Sequence, residues 1–536
     1  AIARLAGIEL PASVPGRIAG VMDQLNFWHE HTMGAAESIS DPLAANSQEQ
    51  WAEKAAYVWN GAMQSRLLRE SALGFLQDIL APDRVPTLVV FNTLNWERSG
   101  LHTVYIDNQL LPKDKAFRLV DEQGRETAAQ LAASRPEGNY WAVWIDKVPP
   151  FGWRTLRIEV SQKARPVPQP CLPAAGLLEN HFYRLEVDET TGGVRSLFDR
   201  ELGLELLDPG RRHQLGEVIY ERLHDRRAME ELRLGEFTRT PLQEIRIEPG
   251  IDGPIWQSLF ISGSGAGFSG LRCELRLFRE VKRIELHFSG RKLAETGPEG
   301  LYVAFPFALP GGNLFFEAQG GLVSPGVNQI EGTANDWNAV QNYAALRAEG
   351  AQIVLVSGEA PLMQFGGINT GRYRRGAVPE SGQIYSWVLN NYWTTNFCAS
   401  QEGELAWSYA LTSGQEGSNS AATRFGWGSR VPMISRVLPA SAAGRSGVSP
   451  RSLWPFAAEG SGELLLVAAR LEGEGVFFHL REVEGRPATL SLNPAFSSGR
   501  IVLCDPLGRS LEEVESISFA PFEVRFVRVI TSLKRS

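Results

Sequence analysis

The hydrophobic pattern of this chain changes its period once, near Pro86, and that change constrains the fold more than any other feature. Before it, apolar residues recur at spacings of three and four, which is typical of amphipathic helices. After it, apolar and polar residues alternate in short runs between turns rich in glycine and proline, which predicts β-strands. The sequence therefore predicts a mainly β protein with an N-terminal helical segment.

Two long helices are expected in the first part of the chain. Pro15 suits the first turn of one, whose apolar stripe consists of Ile18, Met22, Leu25, His29 and Met33. The other is expected from Gln48 to Ile79, ending before Ala81-Pro82 because proline cannot continue a helix. Its candidate core positions are Trp51, Ala55, Val58, Leu68, Ala72, Phe75 and Ile79. Two such helices would leave apolar faces open, so we expect them to pack on other elements.

A chain of 536 residues is longer than one hydrophobic core usually organises, so several domains are expected. The pattern predicts a helical domain over residues 1–85, a small β domain over 86–170, a large two-sheet sandwich over 171–435 and a C-terminal β-sandwich over 436–536. The Pro-rich stretch from Gln162 to Pro173 predicts a linker.

Composition argues against several classes of protein. A net charge of −8 gives no support to binding of nucleic acid or of an anionic membrane, and no run of about 18 apolar residues predicts a membrane span. Four cysteines without a C-x-x-C pair argue against a zinc ribbon and a disulfide scaffold, and indicate a reducing, cytoplasmic setting. They are Cys171, Cys273, Cys398 and Cys504.

His29-Glu30-His31 is the densest cluster of potential metal ligands in the sequence. Because a helix turns by about 100° per residue, His31 would point roughly 200° away from His29, and the two cannot bind one metal ion from a regular helix. Without further context, a histidine on an apolar face is more often a hydrogen-bonded core residue. A zinc ligand also needs two or three partners from elsewhere.

The segment Asn390–Asn396 is dense in aromatic rings and side-chain amides. Sugars are bound by rings that stack on their C–H faces and by amides that meet their hydroxyl groups, so this composition suits a carbohydrate-binding surface. A buried turn with capped polar groups is an equally good interpretation. Asn335-Asp336-Trp337 has a similar, weaker pattern.

Several segments, in the right order, resemble the family-38 glycoside hydrolases, which are retaining zinc-dependent α-mannosidases. The similar segments are Phe91–Gly100, Val148–Leu156, Leu178–Asp199 and Tyr392–Glu404. The resemblance implies a helical middle domain of the three-helix-bundle type, followed by β-sandwiches that include a large mutarotase-like supersandwich. It also implies action on α-mannosides.

The resemblance assigns site residues as well. His29-Glu30-x-x-x-Gly34 is similar to a His-Asp-x-x-x-Gly motif of the family, which makes His29 the candidate zinc ligand. Glu30 stands where the family has aspartate. By the same resemblance, the candidate substrate-binding residues are Glu30, Asn391, Tyr392 and Asn396.

In that family the remaining zinc ligands and the aspartate nucleophile belong to an N-terminal α/β barrel. No His-x-Asp sequence of the barrel type occurs here, so the barrel is expected to be missing and this piece alone to be inactive. Two alternatives stay open: a non-catalytic carbohydrate-binding β-sandwich protein, and a complete hydrolase that uses carboxylates of the large sandwich.

Overall fold

The computed structural model describes residues 1–80, 83–164, 176–231, 237–318, 320–442 and 451–530. The predicted helix end at Ala81-Pro82, Cys171 and most of the predicted Gln162–Pro173 linker lie outside these ranges.

The two predicted long helices are confirmed. The α-helices are α1 (Ile2–Leu5), α2 (Val14–His29), α3 (Ala45–Leu76), α4 (Arg227–Glu230) and α5 (Asn419–Arg430). Short 3-10 helices cover Ala36–Ser38, Gln77–Ile79 and Pro494–Phe496. Among the described helices, none combines the length and the apolar composition needed to cross a membrane.

The predicted apolar faces of the two long helices are less buried than their spacing suggests. In α2 only Val14 is buried, while Ile18 and Leu25 are half-buried and Met22 is 50% exposed. In α3 the predicted core positions are half-buried, whereas Leu73 and Leu76 are the large side chains that are buried. Spacing identifies a face of a helix but does not show whether a neighbour covers it.

The strands occupy most of the rest of the chain. The first seven are β1 (Thr87–Asn92), β2 (Arg98–Asp107), β3 (Lys115–Asp121), β4 (Glu126–Thr127), β5 (Ala129–Ser134), β6 (Gly138–Val148) and β7 (Gly152–Ala164). The next ten are β8 (Leu177–Glu179), β9 (Tyr183–Val187), β10 (Val194–Asp199), β11 (Leu204–Glu205), β12 (Val218–Leu223), β13 (Phe237–Pro241), β14 (Gln243–Asp252), β15 (Trp256–Gly265), β16 (Phe268–Phe278) and β17 (Ile284–Lys292).

Nine strands complete the large β region and ten more follow it. The nine are β18 (Glu299–Pro306), β19 (Asn313–Ala318), β20 (Gly321–Val323), β21 (Asn338–Ala339), β22 (Ala344–Ala348), β23 (Ala351–Ser357), β24 (Leu362–Phe365), β25 (Gln383–Asn390) and β26 (Gly403–Gly414). The last ten are β27 (Ile434–Leu438), β28 (Arg451–Ser452), β29 (Phe456–Gly460), β30 (Leu464–Glu472), β31 (Gly475–Glu482), β32 (Ala488–Leu492), β33 (Arg500–Cys504), β34 (Ser510–Val514), β35 (Ser516–Phe519) and β36 (Val524–Ile530). A mainly β fold after a helical start, as predicted, is thereby confirmed.

The chain divides into two compact units, and the first contains Ala1–Leu25, Trp59–Val167 and Val431–Ser536. Its largest sheet has the order β27-β1-β7-β3-β4, with β28 also paired to β7. Two three-stranded sheets, β2-β6-β5 and β29-β32-β35, and the five-stranded sheet β30-β31-β36-β33-β34 complete it. Buried residues of β1, β7 and the C-terminal strands share one hydrophobic core. The four-domain division stays a prediction.

The second unit contains Asn26–Val58 and Pro168–Arg430. It holds a four-stranded sheet β11-β10-β9-β8, a six-stranded sheet β13-β12-β18-β25-β24-β21 and a nine-stranded sheet β14-β15-β16-β17-β26-β23-β22-β19-β20. Apolar residues of all three sheets form a single core, which makes this unit a sandwich of large sheets.

One ion pair lies inside this sandwich. Lys292 of β17 and Glu299 of β18 are buried, and their charged atoms are 2.7 Å apart. The Tyr220 hydroxyl also donates to Glu299 at 2.5 Å, and the Lys292 ammonium donates to the Leu293 carbonyl at 2.8 Å. Because each charge has lost its water, each depends on the other and on these hydrogen bonds.

We therefore expect Lys292→Met to lower the free energy of unfolding by about 3–5 kcal/mol, since it leaves the Glu299 charge buried and unpaired. Lys292→Met combined with Glu299→Gln should recover most of that loss, because the amide oxygen still accepts from Tyr220. Urea denaturation measures both. Arg291→Met is the control, because Arg291 and Glu404 are exposed and such pairs contribute less than about 1 kcal/mol. A double variant no more stable than the single one would contradict the interpretation.

Candidate functional site

The segment that follows α2 is organised around the ammonium group of Lys54. Lys54 lies on α3, its side chain is 12% exposed, and it donates to the Phe27 carbonyl at 2.8 Å and to the Glu30 carboxylate at 2.7 Å. The last carbonyls of a helix lack partners within the helix, and a lysine at that end satisfies one of them. Lys54 thus holds both the end of α2 and the carboxylate just beyond it.

Glu30 is saturated with hydrogen bonds. Besides Lys54, the Thr32 hydroxyl donates to it at 2.6 Å and His31 Nδ1 lies 2.6 Å from its other oxygen. The hydrogen bond from Lys54, followed by that from Thr32, lowers the pKa of Glu30 from 4.5 to about 2. The group is therefore ionised throughout the neutral range and is a poor proton donor.

His29 is the last residue of α2, and its side chain is exposed. The apolar stripe predicted it to face inward, and the structure corrects this: the residues around it on that stripe are themselves only half-buried or exposed. No hydrogen bond to the His29 ring occurs among the described residues, whereas the neighbouring His31 ring contacts Glu30. Both ring nitrogens of His29 are therefore open to a ligand.

The turn after this segment is attached to the loop that follows β25. The amide of Met33 donates to the Asn396 carbonyl at 2.9 Å. Ser38 both donates to the Phe397 carbonyl at 2.8 Å and accepts from the Phe397 amide at 3.1 Å. These bonds join two parts of the chain more than 350 residues apart, and they bring the His29-Glu30 segment and Asn396 into one region.

Gly34 makes the approach of this turn to α3 possible. Its φ of +147° lies in the range that favours glycine, and a Cβ atom there would lie 2.8 Å from Trp51 Nε1. Any larger residue would push the turn away from the indole ring. The glycine of the predicted His29-Glu30-x-x-x-Gly34 motif therefore has a packing reason to be there.

Asn391 and Tyr392 are the first two residues of this loop and are buried. The Asn391 amide donates to the carbonyls of Gly297 and Ala399, each at 2.8 Å, and accepts from the Glu299 amide at 2.5 Å. The Tyr392 hydroxyl donates to Glu221 at 2.8 Å, and burial raises the pKa of Tyr392 well above its ordinary value. Both side chains have their hydrogen bonds filled by the protein, so what the structure shows for them is support of the loop. Their contact with a substrate stays a prediction.

The outer part of the loop presents different groups. Asn396 is half-buried, has a φ of +56°, and its side-chain amide has no hydrogen bond within the described part of the chain. Trp393 is 51% exposed, and its ring meets the Trp337 ring edge to face at 6.3 Å. An open amide and an exposed indole are the kinds of group that contact sugars.

Two supporting residues were not foreseen from the sequence. Arg226 donates to the carbonyls of Asn391 and Trp393 and, at 2.8 Å, to that of Thr296, and these bonds hold the backbone of the loop. Lys54 is the other. Neither belongs to a motif, and each acts on residues distant along the chain, so no local signal marks them.

The described residues do not form a metal site by themselves. Across the described ranges, no three side chains of His, Cys, Asp or Glu converge as metal ligands would. Near His29 the closest carboxylate, Glu30, is already engaged by Lys54 and Thr32. One imidazole alone does not hold zinc, which takes four ligands.

Removal of the Lys54 charge tests the arrangement around Glu30. In Lys54→Met we expect the pKa of Glu30 to rise from about 2 toward 4.5, because the strongest hydrogen bond to the carboxylate is lost. A ¹³C NMR titration of the labelled glutamate carboxyl, assigned by its disappearance in Glu30→Gln, measures this. Lys54→Arg should keep the pKa low. An unchanged value in Lys54→Met would show that Lys54 does not control this group.

The comparisons with known proteins agree with the fold. No family model and no curated protein matches the chain. An α-mannosidase from Enterococcus faecalis V583 matches with a TM-score of 0.66 at 12% identity, over 98% of this chain and 68% of its own. A glycosyl hydrolase family 38 protein from Enterococcus faecalis matches with a TM-score of 0.63 at 12% identity, over 98% of this chain and 71% of its own. The fold expected from the family-38 resemblance is thereby confirmed: along nearly its whole length, this chain folds like the corresponding part of those two structures.

Proposed function

We propose that this chain is the helical and β portion of a retaining, α-mannosidase-like glycoside hydrolase that acts on α-mannosides. The observation that carries the proposal is the exposed His29 ring at the end of α2, at the place where the sequence motif expects a zinc ligand, in a chain with the family-38 fold. A ring enclosed by the protein's own core would have argued against that role.

In this proposal His29 supplies one ligand to a zinc ion. Because no three ligating side chains converge among the described residues, we propose that the other ligands and the catalytic carboxylates come from outside them, as from an α/β barrel module on the same or another polypeptide. Zinc, when bound, would polarise sugar hydroxyls.

The residues of this chain would bind and position the sugar. The open Asn396 amide would meet hydroxyl groups, and the exposed Trp393 ring would cover a C–H face of the sugar. Glu30 is not suited to be the general acid of a glycosidase, which needs a raised pKa, since its own pKa is about 2. We infer instead that Glu30 fixes the segment that carries His29, through Lys54.

A non-catalytic carbohydrate-binding protein is the second candidate. The Trp393 and Asn396 groups favour it, because both can contact a saccharide without any metal or barrel. We also propose a reducing, cytoplasmic location, which is supported by the free thiols of Cys273, Cys398 and Cys504.

The test compares two neighbouring histidines in the full-length gene product. We expect hydrolysis of aryl α-mannosides and bound zinc in the wild type. His29→Ala should lower kcat/KM by at least about a hundredfold and release the metal, since loss of a mere hydrogen-bond partner of a metal ligand already costs about 10- to 100-fold. His31→Ala, a control on a neighbouring histidine that is also exposed, should change both by less than about twofold.

The outcomes separate the candidates. Equal effects of the two substitutions, or turnover that survives loss of His29, would rule out the ligand role. Binding of mannosides without turnover or zinc, as measured by calorimetry, would favour the carbohydrate-binding protein.

A further inference from the structure

The outer face of the nine-stranded sheet carries an open cleft of about 350 Å³, away from the His29 region along the chain and built by other residues. Its floor is one row of side chains across four adjacent strands, β15, β16, β17 and β26. Phe260 pairs with Glu274, Glu274 with His287, and His287 with Ser408. Directly paired residues in a sheet point to the same side, so these four side chains share one face.

The other face of the same strands belongs to the core. Leu275, Phe288, Trp407 and Tyr409 alternate with the row and are buried. The cleft therefore stands on a rigid base whose strand positions are fixed by packing. Its volume falls in the range of about 300–1,000 Å³ that is usual for small-molecule sites.

The charged groups beneath the cleft are held in place by ion pairs. Glu285 is buried and accepts from Arg283 at 2.7 Å and from His287 Nε2 at 2.7 Å, while Arg276 lies 2.6 Å from Glu274 and 3.9 Å from Glu285. Burial alone would raise the pKa of Glu285, but Arg283, His287 and Arg276 lower it to about 2. An ordinary solvated sheet face does not fix its side chains in this way, because exposed pairs are weak.

Several groups around the cleft keep free hydrogen-bonding capacity. The Arg272 guanidinium lies over the Phe260 ring at 3.6 Å and has no ion pair within the described residues. Since His287 donates from Nε2 to Glu285, its Nδ1 has no hydrogen-bond partner among the described residues. Glu359, from the turn after β23, accepts from the Ser408 amide at 2.7 Å and closes the cleft on that side. Hydrogen-bond donors and acceptors thus lie close to one another around the cleft.

The charge balance indicates the class of ligand. Arg272 and Arg276 are offset by Glu274 and Glu359, so the cleft favours neither a phosphate nor a metal cation. Hydroxyl groups are both donors and acceptors, and adjacent hydroxyls on a ring match carboxylate and guanidinium edges. A neutral, polyhydroxylated ring is therefore the best fit.

We propose that this cleft is a second carbohydrate-binding site, which takes a neutral saccharide unit between Arg272, His287 and Glu359 and is separate from the His29 site. The proposal does not depend on the proposed function: a binding site on the sheet could serve a hydrolase or a purely binding protein.

Histidine NMR distinguishes the two sites. The protein has eight histidines, so ¹³C-labelled imidazole signals can be assigned by substitution, with His287→Gln and His29→Gln identifying those two. The full chain is titrated with D-mannose, D-glucose, D-galactose and, separately, inorganic phosphate. We expect the His287 signal to shift and saturate with at least one sugar in the millimolar range.

Arg272→Ala should weaken that saturation by about tenfold, the loss expected for one hydrogen bond from a charged group. Arg246→Ala is the matched control, since Arg246 is an exposed arginine on β14 of the same sheet, and it should leave the affinity unchanged. Circular dichroism confirms that both variants fold.

The results that would overturn the proposal are equally specific. A His287 signal that no sugar moves at tens of millimolar, or that only phosphate moves, rejects a saccharide site here. Shifts confined to the His29 signal would support the proposed function while rejecting this site. Equal losses of sugar affinity in Arg272→Ala and Arg246→Ala would show that the cleft is not involved.

Discussion

Burial of one face of each large sheet is the constraint on which the rest of this structure depends. The nine-stranded sheet shares a core with the six-stranded sheet, so alternate residues of β15, β16, β17 and β26 are committed to it. The residues between them point away from the core. Their positions are still fixed, because they lie on the same paired strands as the core residues. Side chains as distant in sequence as Phe260 and Ser408 can therefore form one ordered row on the outer surface. Packing of the inner face thus fixes the positions of the side chains on the outer face, whose polar groups can contact a ligand.

The region around His29 is organised differently. Here a helix end, a turn and a loop meet, and individual hydrogen bonds replace the ladder of a sheet. Lys54 and Ser38 hold the two sides of the region, and Gly34 allows the backbone to approach Trp51. Such an arrangement leaves the His29 ring and the Asn396 amide without partners among the described residues, while Glu30 and Asn391 are held by several hydrogen bonds. The proposed binding role rests on this contrast between hydrogen-bonded supporting groups and outer groups that have no partner among the described residues.

Much of the fold could be predicted from the sequence, because strands and helices are local patterns. The run predicted at Thr87–Asn92 is the strand β1, and the second long helix differs from its prediction by a few residues at each end. Only part of the candidate site could be predicted from the sequence. The motif predicted His29 and Glu30 as candidates, but the partner of Glu30, Lys54, lies 24 residues away on another helix. The spacing of His29 predicted that its side chain is buried. That prediction was wrong, because periodicity does not reveal which face of a helix is covered by a neighbour. The row beneath the cleft could not be predicted at all, since it depends on the register of four strands joined by non-local pairing.

The Lys292–Glu299 pair has a consequence for how the two large sheets are stacked. Attraction between apolar side chains has little directionality, so a purely apolar interface would allow small translations of one layer over the other. The Lys292 ammonium and the Glu299 carboxylate belong to different layers. A displacement of a few ångströms between the layers would leave both charges unpaired in the interior, which is costly in free energy. This contact therefore helps to fix the alignment of one layer on the other, which apolar packing alone would leave less well defined.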